Sequence, residues 1–182
     1  MKQVLLAFIT LITICTFSCS SCKKEIVIDN GGLPPTTQTG ANTLGFTLNG
    51  QPWTPKGQVG VSANLTVNVD FGYNKGIFVI NAYRFNQTGE KEVFSVGVRD
   101  SLNFFQIPIT IPLSRTSLYG ITYRNNTCDY FNQDSNVLSS GSLIITKLDK
   151  TSQIIAGTFS AVLSKMGCDT IKIIDGRFDM KY

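Results

Sequence analysis

The sequence predicts an all-β fold of short antiparallel strands, and three observations point there. β-Branched and aromatic residues are abundant, with 19 Thr, 18 Ile and 12 Phe against six Ala and three Glu. That balance suits a pleated, half-buried surface rather than a solvated helix. Short apolar runs alternate with polar residues, with Asn, Gly, Asp and Pro between the runs. Beyond the N-terminal leader, no useful length of chain repeats apolar residues at the 3.6-residue helical period.

Gly45 to Leu48 runs into Asn49-Gly50, the strongest short hairpin signal, and then Gln51-Pro52-Trp53. Val61, Ala63, Leu65, Val67 and Val69 alternate with Ser62, Asn64, Thr66, Asn68 and Asp70, one dry face against one wet. Asn74-Lys75-Gly76 turns the chain into 77–85, apolar on both faces apart from Asn81 and Arg84 and so expected inside a sheet. After a turn at Thr88-Gly89-Glu90, the residues Phe94, Val96 and Val98 form the next dry face. Residues 107–113 alternate but carry Pro108 and Pro112, which cannot donate to a ladder, so this is an edge strand. Tyr119, Ile121 and Tyr123 line a further strand, and the polar stretch 125–142 predicts a long loop around Cys128. Runs at 142–148, 153–163 and 170–174 follow, then a turn at Asp175-Gly176 and a last strand at 177–181. About eight to ten such strands close into a sandwich or a barrel. The expectation is a β-sandwich, with a lipocalin-like barrel as the alternative.

The N-terminus reads as an export signal. Lys2 precedes an apolar stretch from Val4 to Phe17, short for a membrane span of about 20 residues. Small residues then lead into cysteine, Ser18-Cys19-Ser20-Ser21-Cys22-Lys23-Lys24. The segment resembles a bacterial lipoprotein signal, in which an acylated Cys becomes the first mature residue. Cys22 is the expected lipidation site and Cys19 the alternative, because bulky Phe17 lies two residues before Cys19. The expected partition is a signal peptide at 1–21, a lipidated Cys and flexible linker at 22–43, and one all-β domain at 44–182. Asn30-Gly31-Gly32, Pro34-Pro35 and the polar residues around them give the linker its character. Of the five cysteines, Cys128 and Cys168 then remain in an exported body, where oxidation is permitted, and are expected to pair.

Three passages carry a family resemblance: LPPTTQTGANTLGFTLNG at 33–50, ITKLDK at 145–150 with IAGTF at 155–159, and DTIKIIDGRFD at 169–179. Together they resemble a family of Bacteroidota lipoproteins with a domain of unknown function. The resemblance implies export and lipidation, and no activity or catalytic residue. Asp100-Ser101-Leu102 and Asp169-Thr170-Ile171 are similar to the Asp-Ser/Thr-apolar acceptor pattern of Bacteroidota O-glycosylation, which makes Ser101 and Thr170 candidate acceptors. Within DGRFD, Arg177 and Asp179 are expected as a surface ion pair rather than a binding pair.

The chain has no His, which removes Ser-His-Asp and Cys-His catalysis and His-ligated metals. Asp149, Asp169, Asp175 and Asp179 cluster late and mostly read as turn residues. Trp53 reads as a core or hairpin-packing residue. Basic residues are scattered around a net charge of +4, with none of the stripe that nucleic acid requires. No catalytic, metal or cofactor-binding residue is expected. The functional expectation is an exported envelope protein, lipid-anchored at the outer membrane. Its non-enzymatic β-domain would be structural or would bind a polysaccharide, a peptide or another envelope protein. A carrier of a small apolar ligand is the alternative, and a carboxylate-based glycan hydrolase the least favoured reading.

Overall fold

Asn49 and Gly50 both take positive φ, 47° and 85°. That is the two-residue geometry whose twist matches a right-handed β-ribbon. They join β1 (Thr43–Leu48) to β2 (Gln51–Trp53), with Leu48 opposite Gln51. In the computed structural model, which describes residues 32–115 and 118–182, this hairpin is one edge of an all-β body.

Nine further strands follow: β3 (Leu65–Asp70), β4 (Ile77–Phe85), β5 (Lys91–Val98), β6 (Ile109–Pro112), β7 (Tyr119–Arg124), β8 (Asp129–Phe131), β9 (Val137–Asp149), β10 (Ile154–Lys165) and β11 (Ile171–Lys181). They form two antiparallel sheets, a six-stranded one in the order β2-β1-β11-β10-β9-β6 and a five-stranded one in the order β3-β4-β5-β7-β8. The architecture is a β-sandwich.

The barrel alternative is not formed. Neither sheet closes, because β2 and β6 end one and β3 and β8 the other. β2 carries Pro52, and β6 ends on Pro112 with Pro108 just before it, so both edges lack donors that closure would use. The space between the sheets is filled by packed rings: Phe46 stacks on Trp53 at 4.7 Å and tilts against Phe94 at 4.6 Å, and Phe94 stacks on Phe159 at 5.2 Å. Leu44, Phe78, Ile80, Ile121, Leu143 and Ile173 complete this core.

Several expectations hold and others need correction. β4 is flanked by β3 and β5, and β6 lies at an edge, as the sequence implies. The alternating run from Val61 is a strand only from Leu65. Val59 and Ser62 bridge each other across a tight turn, leaving Val61 99% exposed. The polar loop expected at 125–142 contains β8 and the start of β9. There Leu138, Ser140 and Ser142 pair with Ser164, Val162 and Ser160 of β10 through main-chain ladders, which small hydroxyl side chains satisfy as well as apolar ones. The turn expected at Asp175-Gly176 is a bulge within one long β11. Asp175 takes φ 55° and the register shifts on both neighbours without reversing the chain.

The passage expected as linker is, from Gly32 on, part of the body. It forms a strap over the outer face of the larger sheet. Leu33 and Pro34 are buried, and Gly45 of β1 gives Pro34 its place, since a Cβ there would stand 2.5 Å from the Pro34 ring.

Candidate functional site

Strict alternation along β4 and β5 turns Phe78, Ile80, Ala82 and Arg84 inward on one strand and Glu92, Phe94, Val96 and Val98 inward on the other. The last β4 position and the first β5 position of this set are charged, and they face each other directly. Arg84 Nε donates to Glu92 Oε2 at 2.8 Å, and Trp53 Nε1 donates to the same oxygen at 2.7 Å. Glu92 is 7% exposed. Arg84 Nη1 donates to the Pro52 carbonyl at 2.9 Å, and its guanidinium carbon lies 5.4 Å over the Trp53 ring. Tyr123 from β7 stands near the Glu92 carboxylate. Burial first, and the Glu92 carboxylate second, push its phenol well above the ordinary value. The guanidinium is thus held by a carboxylate, a carbonyl and an indole face at the edge of the aromatic core.

Above it opens a cleft of about 610 Å³, lined by Gln51, Pro52, Thr54, Lys56, Arg84, Phe85 and Asn86 to Thr88. Residue 56 is fixed there by a parallel bridge to Arg84, with Phe85 N donating to the Lys56 carbonyl. The Asn86 side chain closes the β4–β5 turn by accepting from Thr88 N and Glu90 N. The lining is two cations, three amides, two hydroxyls, a proline and a half-buried phenyl ring, with no carboxylate in the wall. Such a cleft offers hydrogen-bond donors to a polar ligand.

The other anticipated residues fall elsewhere. Cys22 and Cys19 lie outside the described residues. Cys128 and Cys168 form a disulfide with a 2.00 Å S–S bond, tying the β7–β8 loop to the β10–β11 turn. Ser101 takes φ 66° and donates to the Asp100 carboxylate beside a fully buried Leu102, whereas Thr170 is exposed at the start of β11. Asp149 is a turn residue, accepting from Thr151 N and Ser152 N. Among the described residues, no three His, Cys, Asp or Glu side chains gather into a metal-binding group.

Arg177 and Asp179 are not the surface ion pair expected of them. Asp179 is 1% exposed and faces the strap, accepting from Thr37 Oγ1 at 2.6 Å, Thr39 N at 2.9 Å, Thr39 Oγ1 at 3.2 Å and Gly40 N at 2.7 Å. Arg177 Nη1 donates to the Pro34 carbonyl at 3.3 Å. Burial alone would raise the Asp179 carboxyl, but the donors on the strap outweigh it and hold the group below its ordinary value. A depressed folded value means that this stability is complete above about pH 4 and is lost as pH falls further. Asp179→Ala is expected to cost about 2–3 kcal/mol. It should also release residues 32–42 to rapid hydrogen exchange while the sandwich stays protected. Equal protection of the strap in both proteins would show that Asp179 does not hold it.

Arg84, Glu92 and Lys56 were not anticipated from the sequence. The available signal was parity: Glu92 stands two residues before Phe94 on a dry face, where an unpaired charge is costly. Comparison with known proteins finds no matching family model, no matching curated protein and no matching solved structure.

Proposed function

We propose that the chain is an exported lipoprotein of the bacterial envelope, acylated at Cys22 (or Cys19) and held at the outer membrane. Its sandwich is a non-enzymatic binding domain that takes a hydroxyl-rich ligand, a polysaccharide, in the cleft over Arg84. The cleft carries this reading. A buried ion pair is not an economical way to stabilise a fold, but one that fixes a guanidinium at a cleft floor preorganises a donor for a ligand. Gln51, Asn86, Gln87 and Lys56 supply further polar groups around the Phe85 ring. The leader, the small residues before Cys22, the resemblance to Bacteroidota lipoproteins and a disulfide suited to an oxidising compartment all support export.

A glycan array probed with the intact protein tests the ligand. Retention of at least one glycan class is expected. Lys56→Ala combined with Gln87→Ala should weaken it about tenfold or more, since a hydrogen bond to a charged group contributes about 1.5 kcal/mol. Both side chains are exposed, so the variant should fold normally. No retained glycan, or equal retention by the variant, removes the polysaccharide reading.

A further inference from the structure

The chain leaves the described body at a definite place. Asp179 and Arg177 hold the strap across the larger sheet, and the strap's first residue, Gly32, stands against Pro52, a Cβ there lying 3.2 Å from the Pro52 ring. Pro52 is one residue from the β1–β2 turn. Three other connections share that end of the sandwich. Asn49 N bonds the Lys172 carbonyl, the disulfide joins 128 to 168, and Val93 opposite Arg124 sets the β4–β5 turn beside the β7–β8 loop.

This end carries exposed aliphatic tips. Met166, in the β10–β11 turn, is 96% exposed; Val61, in the loop before β3, is 99% exposed; Leu138, at the start of β9, is 76% exposed. Of the charges here, Arg84 pairs with Glu92 and Arg124 with Asp129. That leaves Lys56, Lys91, Lys165 and Lys172 against Glu90, Asp134 and Asp169. Exposed aliphatic tips among excess lysines match a headgroup layer, into which aliphatic side chains insert while cations meet anionic lipid.

We propose that this end of the sandwich docks on the bilayer surface that holds the lipid anchor. The proposal rests on acylation at Cys22. From Cys22 to Gly32 the chain advances ten residues, a reach of at most about 33–36 Å. Were the strap undocked, the reach from Cys22 to Thr43 would be about twice that. The strap therefore shortens the tether and selects the end of the body that faces the membrane. The cleft opens at the same end, so its ligand would be bound close to the headgroups.

The test uses the full mature chain in liposomes of phosphatidylethanolamine and phosphatidylglycerol. Nitroxide labels are placed singly through Met166→Cys, Val61→Cys and Phe104→Cys. Phe104 is 71% exposed and stands at the opposite end, where Asn103 meets Lys150 and Phe71. Labels at 166 and 61 are expected to lose several-fold of their collision rate with a water-soluble nickel complex, while the label at 104 keeps its rate. Shielding at 104 instead, or full solvent access at all three positions, overturns the orientation. Mass spectrometry of the same N-terminus separates the two ideas. A chain without acyl groups overturns the anchor and the orientation together. An acylated chain with unshielded tips overturns the orientation alone.

Discussion

Glu92→Ala is expected to lower the unfolding free energy by about 3–5 kcal/mol. The carboxylate serves two donors at once, the Trp53 indole N–H and the Arg84 guanidinium. Removing it strands both beside an apolar core, where an unmade hydrogen bond costs far more than a made one contributes. Arg84 keeps 20% side-chain exposure through the cleft and can rehydrate there, which places the loss toward the lower end of the range. Glu92→Gln should recover part of it, because an amide oxygen still accepts from Trp53 but supplies no charge to Arg84. The double variant Arg84→Met/Glu92→Leu should be nearly as stable as the parent, since replacing both partners removes the desolvation together with the pairing. That variant would lose the guanidinium at the cleft floor while keeping the fold, so it separates binding from stability. Urea unfolding measures all three, and a loss under about 1 kcal/mol for Glu92→Ala would show the network to be energetically idle. Alkaline titration adds a check with a definite sign. Tyr123 has a raised folded value, so its contribution is complete below about pH 10 and falls as pH rises beyond it. Most of that fall should survive Glu92→Ala, since burial is the larger cause.

Local patterns were legible in the sequence and long-range ones were not. The alternation of Phe94, Val96 and Val98, the Asn49-Gly50 turn and the prolines flanking β6 each act within a few residues, and the fold follows them. The Cys128–Cys168 pair was legible by elimination, because the expected signal and lipid anchor claim the other three cysteines. The strap was not legible. Leu33 to Asn42 has no period and buries only Leu33 and Pro34, and its place depends on partners far away in sequence, among them a carboxylate 140 residues from Thr39. Asp179 itself looked like a surface residue because nothing nearby in sequence reveals that its face is covered. The Arg84–Glu92 pair was half legible. Both residues break the apolar parity of their strands, but only the register of β4 on β5 shows that they break it opposite each other. The serine-rich half of β9 misleads for a related reason, because its ladder uses main-chain groups and its side chains need only be small.

Loss of the disulfide should cost about as much as loss of Glu92, through a different mechanism. Closing a loop of 40 residues removes about 4 kcal/mol of conformational entropy from the unfolded chain in the polymer model. The native state gives up little in return, because neighbouring contacts already hold both loops. Lys165 Nζ donates to the Asp129 carbonyl at 2.9 Å, and the Tyr130 hydroxyl donates to the Asp169 carbonyl at 2.6 Å. The double variant Cys128→Ser/Cys168→Ser should therefore fold to the same sandwich, with a melting temperature lower by roughly 10–15 °C. Reduction of the parent should reproduce that shift, and neither single variant should be more stable than the double. A melting temperature indifferent to reductant would mean that the unfolded chain is already compact around this loop. The size of the loss bears on where the protein can work. Against a typical total stability of about 5–15 kcal/mol, 4 kcal/mol is a large fraction. Kept in a reducing compartment, the same chain would populate its unfolded state about a thousandfold more, whereas an oxidising envelope allows it the whole margin.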